Sequence, residues 1–289
     1  MIPPLPDFIY RNLIEAALAE DMGRAGDLTG LATLGPDVRL SVSLRAREGG
    51  VLSGLRAAQL AILSLDPDAL IAIHAQDGDS LAPGMSVLDV TANARALLAA
   101  ERTALNLVGL MSGVATLTRA YVDAVAGTGA RITDTRKTIP ALRAIQKYAV
   151  RCGGGINHRM ALDDAILIKD NHIAAVGSVA QAIRSARRMG GHLTPVEVEV
   201  DTLEQFDEAL AERPDVIMLD NFSLDELREA VRRNRAPKEG RIRLEASGGV
   251  TLDSVAAIAG TGVDVISVGA LTHSARWLDF GLDAAREAA

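Results

Sequence analysis

The sequence predicts an α/β protein in which a small α+β module precedes a barrel of alternating strands and helices. From residue 130 onward, short apolar runs alternate with helical stretches at intervals of roughly 20–35 residues, which is typical of βα units in a parallel sheet. No G-x-G-x-x-G fingerprint follows the first of these runs, which favours a barrel over a dinucleotide-binding sheet. The first 112 residues lack this rhythm and contain alternating, strand-like runs instead.

The N-terminal module begins with an amphipathic helix predicted over residues 6–21, with Asp7 as its N-cap. Strands are predicted over 38–46, 50–54, 69–75 and 86–91. A helical pattern then spans 93–125, and we expect it to break near Gly109 and Gly113. We therefore divide the chain into an N-terminal domain (1–112) and a barrel domain (113–270), with the tail 271–289 expected to pack back on the first.

The barrel domain is predicted from six apolar runs that each end in polar residues or glycine. They are 130–136, 165–172, 195–201, 216–222, 243–249 and 263–270. Helices are predicted between them over 178–190, 203–212 and 223–234, the last with Ser223 and Glu226 as a capping box. Because parallel strands all end on one face of a barrel, these polar residues are expected to share one mouth.

Composition limits the functional class. The chain has 289 residues, a net charge of −7 and one cysteine. The acidic balance argues against nucleic-acid and anionic-membrane binding, and the single cysteine suits a reducing compartment. There is no signal-peptide pattern and no apolar run long enough to span a bilayer. We expect a cytoplasmic protein that binds neither nucleic acid nor membranes.

Basic residues are concentrated in one segment of this acidic chain. Residues 131–172 contain eight Lys or Arg against four acids. Those at or near strand ends are Arg136, Lys137, Arg159 and Lys169, accompanied by His158. Such a cluster is tolerable when anions fill it, and Arg suits carboxylate or phosphate oxygens. The pattern indicates a polyanionic substrate, with a solvated basic face as the alternative.

The remaining strand ends carry carboxylates and glycines. Glu199 and Asp220 are expected to hold Mg²⁺ or sugar hydroxyls, with a structural ion pair to the lysines as the alternative. The last two strands end in Ser247-Gly248-Gly249 and in Gly269, where backbone N–H groups of such barrels often bind phosphate. Together the set indicates transfer of a phosphorylated sugar to a carboxylated acceptor.

Long motifs resemble those of the quinolinate phosphoribosyltransferases, the carboxylating nicotinate-nucleotide pyrophosphorylases. They are "DTRKTIPALRAIQKYAVRCGGGINHRM", "ILIKDNH", "VEVEVDTLEQ", "IMLDN", "LEASGGVTLDSV" and "GVDVISVGALTHS", with "EDMGRAGDLTG" and "AERTALNLVGLMSGVATLTRAYVDAV" upstream. The resemblance spans nearly the whole chain. It implies an N-terminal open α/β sandwich and an incomplete α/β barrel of six or seven parallel strands. It also implies a homodimer in which one subunit's N-terminal domain covers its partner's barrel mouth.

The resemblance also implies a role for each site residue. Arg102 would reach quinolinate from the partner subunit, while Arg136, His158, Arg159 and Lys169 would clamp its two carboxylates. Lys137, Glu199 and Asp220 would be catalytic and serve phosphoribosyl pyrophosphate, the two carboxylates holding Mg²⁺ directly or indirectly. Ser247, Gly248, Gly249 and Gly269 match the phosphate loops, and His273 lies near the pyrophosphate end. The chain departs from the family pattern at Ile139, Ala161 and Asp163, and none of these three positions is one of the site residues.

Three rival functions share these residues. A divergent family member associated with molybdenum uptake would bind a different ligand, and a Schiff-base aldolase would use Lys169 or Lys137. A sensor would bind phosphoribosyl pyrophosphate without turnover. Within "RCGGGINHRM", Cys152 is interpreted as dispensable for chemistry, and the glycines as a turn that delivers His158 and Arg159.

Overall fold

The computed structural model describes residues 2–235 and 240–284. Within them the strands are β1 (Arg39–Ala46), β2 (Gly50–Val51), β3 (Leu70–Ile73), β4 (Ser80–Leu81), β5 (Ser86–Asn93), β6 (Arg131–Thr133), β7 (Ile166–Ile168), β8 (Val196–Val200), β9 (Val216–Asp220), β10 (Arg243–Ser247), β11 (Val265–Ser267) and β12 (Phe280–Ala284). The helices are α1 (Asp7–Met22), α2 (Leu28–Thr33), α3 (Leu55–Leu65), α4 (Ala94–Ala124), α5 (Arg143–Cys152), α6 (Asp170–Val176), α7 (Val179–Met189), α8 (Leu203–Glu212), α9 (Leu224–Asn234), α10 (Leu252–Ala259) and α11 (Ala270–His273).

The chain forms two compact units. Among the described residues, the first contains 2–119, Pro140–Gly154 and 274–284, and the second contains Ala120–Ile139 and the described part of Gly155–His273. The predicted boundary after residue 112 therefore falls inside α4, because this helix runs on without interruption. Residues 140–154 belong to the first unit, where α5 contacts α1.

The first unit is built on an antiparallel sheet with strand order β12-β1-β5-β3. Strand β12, in the C-terminal tail, pairs along β1 from Val42↔Ala284 to Ala46↔Phe280. The tail thus packs on the N-terminal sheet as far as residue 284, and residues 285–289 lie outside the described part. Helix α1 contacts α3 and buries Tyr10, Ile14 and Leu18.

Two local expectations for this unit were wrong. Asp7 is the first residue of α1 and Pro6 occupies the N-cap. The Asp7 carboxylate accepts hydrogen bonds from Nε and Nη2 of Arg56, at 2.8 and 2.6 Å, instead of capping the helix. The predicted break near Gly109 and Gly113 is also absent, since α4 is one 31-residue helix.

The two α4 glycines allow a close approach of the chain. A Cβ on Gly109 would lie 2.8 Å from the carbonyl oxygen of Leu278, and one on Gly113 would lie 2.1 Å from that of Arg276. Leu278 N–H also donates to the Gly109 carbonyl at 3.0 Å. These glycines are therefore explained by packing of the 276–278 segment on the helix, and a break in the helix is not required.

The second unit is a six-stranded parallel sheet with the order β6-β11-β10-β9-β8-β7. All six predicted strands are present, and helices follow β7, β8, β9 and β10. Strands β6 and β7 form the two edges, so the barrel is incomplete, as the resemblance implies. The predicted capping box at the start of α9 is confirmed, since Ser223 Oγ accepts from the Glu226 N–H and the Glu226 carboxylate accepts from the Ser223 N–H. No helix in the described residues is long and apolar enough to cross a membrane.

Gly153 follows α5 at a point of tight packing in the first unit. A Cβ there would lie 2.4 Å from the carbonyl oxygen of Ala115 and 2.5 Å from Cβ of Thr118, both on α4. We expect Gly153→Ala to lower the free energy of unfolding by about 1–3 kcal/mol, because overpacking forces backbone shifts. Urea denaturation measures this, with Gly191→Ala as the control, because a Cβ there would have its nearest atom 3.8 Å away and neither glycine has a positive φ. Equal stability of the native chain and Gly153→Ala would contradict this account of the packing.

Candidate active site at the barrel mouth

The polar strand ends of the second unit line one cavity of about 440 Å³. All six strands or the residues that directly follow them contribute to it. Its walls are formed by Thr135, Arg136, Lys137, His158, Arg159, Leu167, Lys169, Glu199, Met218, Asp220, Glu245, Ser247 and Ser267. The polar strand ends therefore share one mouth, as expected, and eight of the thirteen predicted site residues line the cavity.

Strand alternation explains why these side chains face the cavity. In β8 the buried residues Val196, Val198 and Val200 point to one face, so Glu197 and Glu199 point to the other. Strand β10 repeats this pattern, with Leu244 and Ala246 buried on one face. Glu245 and Ser247 consequently share the interior face, Glu245 lying two residues deeper.

Arg136 and Arg159 form the cationic side of the mouth. The Nε atoms of both guanidinium groups are buried and have no hydrogen-bond partner. Arg159 is oriented by a 3.1 Å hydrogen bond from Nη1 to the carbonyl of Ala165. Burial, followed by the charge of Arg136, lowers the pKa of Arg159 below its ordinary value. Two neighbouring guanidinium groups with unused donors are suited to an anion with several oxygens.

Asp134 positions the loop that carries His158. Its buried carboxylate accepts from the His158 backbone N–H at 3.0 Å and from Nδ2 of Asn157 at 2.5 Å. The Asp164 carboxylate closes the next turn by accepting from the backbone N–H groups of Met160 and Ala161. The loop is thus held by two carboxylates that the sequence reasoning did not select, although Asp134 directly follows β6.

His158 lies between a backbone donor and two carboxyl groups. The backbone N–H of Arg159 donates to His158 Nδ1 at 2.8 Å. Nε2 lies 2.9 Å from Oε2 of Glu197 and 3.8 Å from Oε1 of Glu245.

Glu245 lines the cavity and the buried Glu197 lies beside it and His158; sequence reasoning missed both carboxyl groups. Glu197 and Glu245 are 7% and 4% exposed, and their ligand atoms and that of His158 lie within 4.8 Å of one another. Two ionised carboxylates at this separation would repel by about 3–4 kcal/mol at an effective dielectric near 20. Burial, and then Glu197, raise the pKa of Glu245 to about 8, so Glu245 holds a proton at neutral pH. Period-two alternation with Glu199 and Ser247 was the signal that could have revealed them.

Among the described residues, the donor atoms of His158, Glu197 and Glu245 lie close enough together to hold a metal ion. Mg²⁺ prefers carboxylate, carbonyl and water oxygens, and the imidazole in this cluster is not a ligand of that kind. The predicted magnesium ligands, Glu199 and Asp220, are not members of this cluster.

Lys169 and Glu199 form an ion pair at the mouth. The pair is the contact that the structural alternative for Glu199 describes, and the magnesium role of Glu199 stays a prediction. Asp220 accepts from Nδ2 of Asn221 at 2.7 Å. Burial, followed by the charges of Asp220 and Asp170, raises the pKa of Asp201. The crowding of carboxylate oxygens on this side is the donor chemistry that Mg²⁺ requires.

The predicted phosphate-binding glycines adjoin the cavity. Gly248 has φ +95°, and a Cβ there would lie 2.2 Å from Oδ1 of Asn221. Gly249 also has a positive φ and faces open space. A Cβ on Gly269 would lie 3.1 Å from Cδ of Lys137 and 3.2 Å from Nε2 of His273. The structure thus brings Gly269, Lys137 and His273 together, and the Lys137 carbonyl accepts from Thr272 Oγ1 at 2.8 Å.

Two residues singled out by the sequence belong to the first unit. Arg102 is exposed on α4. Cys152 ends α5, is 1% exposed, and has its pKa raised to about 11, mainly by burial. The basic neighbour Arg151 therefore does not activate the thiol.

We expect Cys152→Ser to keep turnover within about threefold of the native value, because a buried neutral thiol is a poor nucleophile. A hundredfold loss in a folded variant would restore the nucleophile hypothesis.

Comparison with known proteins agrees with this geometry. Residues 27–112 match the family model for the N-terminal domain of quinolinate phosphoribosyl transferase, and residues 114–283 match that for its C-terminal domain. A Mycobacterium leprae protein named nicotinate-nucleotide pyrophosphorylase [carboxylating] is 51% identical over 94% of this chain and 96% of its own. A Bacillus subtilis protein named as a probable enzyme of the same kind is 42% identical over 94% of this chain and 92% of its own.

Solved structures give the same result. The nicotinate-nucleotide pyrophosphorylase from Francisella tularensis superposes with a TM-score of 0.92 at 38% identity, covering 99% of each chain. A Streptococcus pyogenes structure superposes with the same TM-score, 0.92, at 42% identity over 97% of this chain and 98% of its own. The chain belongs to the quinolinate phosphoribosyltransferase family.

Proposed function

We propose that the chain transfers the phosphoribosyl group of phosphoribosyl pyrophosphate to the ring nitrogen of quinolinate, displacing pyrophosphate. The 2-carboxylate of quinolinate then leaves as CO₂, and the product is nicotinate mononucleotide. The observation that carries this proposal is the pair of arginines, Arg136 and Arg159, in the lining of the barrel mouth. The Nε donors of both are buried and have no hydrogen-bond partner within the protein. A planar dicarboxylate supplies the oxygens that these groups require.

Positioning is the main contribution of the cationic residues. A pyridine nitrogen with an adjacent carboxylate is a poor nucleophile, so the ring must be held in line with the anomeric carbon of the ribose. Arg136, Arg159 and Lys169 are proposed to hold the two carboxylates, with His158 beside them. Lys137, next to Gly269 and His273, is proposed to stabilise the departing pyrophosphate.

Mg²⁺ is part of the proposal. Glu199 and Asp220 would hold it together with the substrate phosphates, and oxygen donors of this kind fit a hard cation. When bound, it would neutralise negative charge on the leaving pyrophosphate. Ser247, Gly248, Gly249 and Gly269 would bind phosphate oxygens through hydroxyl and backbone N–H groups.

We also propose a homodimer in which Arg102 completes the partner's site. Its support is that Arg102 is exposed on α4 and that the family match covers both domains. We expect Arg102→Ala to raise KM for quinolinate at least about tenfold more than KM for phosphoribosyl pyrophosphate, because a charged contact to one substrate is lost. Equal increases in both KM values in steady-state assays would contradict the assignment.

Mixing two impaired variants, assayed at a quinolinate concentration well below the raised KM of Arg102→Ala, tests the shared site. Arg102→Ala and Lys137→Ala chains, unfolded and refolded together, should form hybrid dimers with one native site each. Random pairing then restores about one quarter of native activity. A mixture that stays as inactive as its separate components would contradict sharing of the site.

Product analysis tests the proposed reaction. The protein is incubated with quinolinate, phosphoribosyl pyrophosphate and Mg²⁺, and nicotinate mononucleotide is sought by mass spectrometry. No product at saturating substrate would overturn the proposal. Borohydride trapping addresses the aldolase alternative, since a substrate imine on Lys169 or Lys137 would be reduced to a stable adduct that adds mass to the chain.

A cytoplasmic location is also proposed, supported by the single, unbridged cysteine.

A further inference from the structure

The loss of CO₂ leaves the bonding electron pair on C2 of the pyridine ring, and this carbon must receive a proton. Several groups in the cavity lining are committed to other contacts. Arg136 and Arg159 are guanidinium groups, which do not release protons in proteins. Lys169 is paired with Glu199, and Lys137 lies beside Gly269 and His273, where it is proposed to stabilise the departing pyrophosphate. His158 has Nδ1 engaged by the Arg159 N–H and Nε2 2.9 Å from Oε2 of Glu197.

Glu245 differs from these residues in its surroundings. It lines the cavity from the interior face of β10, is 4% exposed, and its Oε1 has no hydrogen-bond partner. The charged and polar groups that act on it are Glu197 from β8, His158 from its loop, Asp134 after β6 and Ser267 from β11. Burial and the two acids, Glu197 and Asp134, raise the pKa of Glu245, while His158 and Ser267 lower it. The raising effects are the larger, so this environment favours a neutral carboxyl group at Glu245.

We propose that Glu245 is the acid that protonates C2 of the pyridine ring as the 2-carboxylate departs. The bond between C2 and the carboxylate carbon breaks, its electron pair stays on C2, and CO₂ leaves. The Glu245 O–H proton moves to C2, and Glu245 becomes a carboxylate. The inference rests on the proposed phosphoribosyl transfer, which makes the ring a pyridinium that tolerates charge at C2.

The same surroundings restore the acid after turnover. A Glu245 carboxylate beside Glu197 is unfavourable, so it recovers a proton from water when the product leaves. An acid whose pKa lies near 8 is well matched to this cycle, because it is protonated at neutral pH and still releases its proton readily. Without a proton at C2, CO₂ can recombine with the carbanion, so the forward reaction depends on this donor.

Single-turnover experiments separate the two chemical steps. Pyrophosphate and CO₂ are measured after mixing excess Glu245→Gln enzyme with limiting quinolinate, phosphoribosyl pyrophosphate and Mg²⁺. We expect pyrophosphate release to stay within about threefold of native, while CO₂ release slows about 100-fold, as expected for loss of a general acid. The quinolinate mononucleotide should then accumulate and be detected by mass spectrometry.

The pH profile supplies a readout that a purely structural role would not change. Since Glu245 must be protonated, native CO₂ release should be full well below pH 8 and fall as the pH rises through about 8. The profile of Glu245→Gln should lack this fall. Glu245→Asp keeps the acid and should restore CO₂ release at least about tenfold over Glu245→Gln. Glu204→Gln, on the exposed face of α8, is the matched control.

Two results would overturn the inference. One is CO₂ release by Glu245→Gln at the native rate with the alkaline fall retained. The other is equal loss of both steps in Glu245→Gln and Glu245→Asp, which would indicate a structural role. Failure of the proposed function is distinguishable, because the native enzyme would then release no pyrophosphate from these substrates.

Discussion

Arg159→Ala is expected to lower kcat/KM for quinolinate by about 100-fold or more. Removal of one partner from a buried charged contact costs about 2–5 kcal/mol, because the substrate carboxylate is left desolvated and unpaired. Arg159 Nε is buried with no partner in the protein, so its donor is available to the substrate. The KM for phosphoribosyl pyrophosphate should change by less than about threefold. Initial-rate kinetics with each substrate varied in turn measure both parameters.

Two further variants test whether geometry or charge carries this effect. Arg159→Lys keeps the charge but loses the planar fork, and we expect it to recover less than about one tenth of native kcat/KM. Arg228→Ala removes an exposed arginine that pairs with Asp225 on α9, and should match the native enzyme. Native kinetics in Arg159→Ala would show that the buried guanidinium does not bind substrate.

Glu199→Gln is expected to lower kcat about 100-fold with little change in KM for quinolinate. The substitution removes the carboxylate that faces Lys169 and, in the proposal, helps to hold Mg²⁺. Electrostatic stabilisation that acts on developing charge is typically worth a factor of about 100–1000 in kcat. The Mg²⁺ concentration that gives half-maximal rate should also rise. Rates measured over a magnesium titration report both effects.

Glu204→Gln is a matched control for Glu199→Gln, since Glu204 lies exposed on α8 outside the cavity. It should keep the native kcat and the native magnesium dependence. If Glu199→Gln also kept both, the Lys169–Glu199 pair would be only structural, and the proposed magnesium role of Glu199 would fall.

Strand positions and the location of the site were predictable because they depend on local patterns. Apolar runs that end in "TRK", "KDN", "LDN" and "SGG" fix the carboxyl ends of parallel strands, and parallel strands open on one face. Arg136, Lys169, Asp220 and Ser247 therefore converge as expected. The capping box at Ser223 was visible for the same reason, since its partners lie three residues apart.

Residues that depend on contacts distant in sequence could not be predicted in this way. The pKa of Glu245 is raised first by burial and then by Glu197, which lies far from it along the chain. In the sequence, Gly113 is typical of a residue that interrupts a helix. The structure shows that the 276–278 segment packs against it, which explains the glycine without a break in the helix. The membership of α5 in the first unit likewise depends on its contact with α1, which no local pattern records.

The barrel mouth is proposed to bind quinolinate and to couple its phosphoribosylation to loss of the 2-carboxylate. Quinolinate labelled with ¹⁴C in the 2-carboxylate tests this proposal directly. With phosphoribosyl pyrophosphate and Mg²⁺ present, we predict one labelled CO₂ for each pyrophosphate released, and no release of either when phosphoribosyl pyrophosphate is omitted. Label that stays in the pyridine product, or labelled CO₂ released without pyrophosphate, would contradict the account.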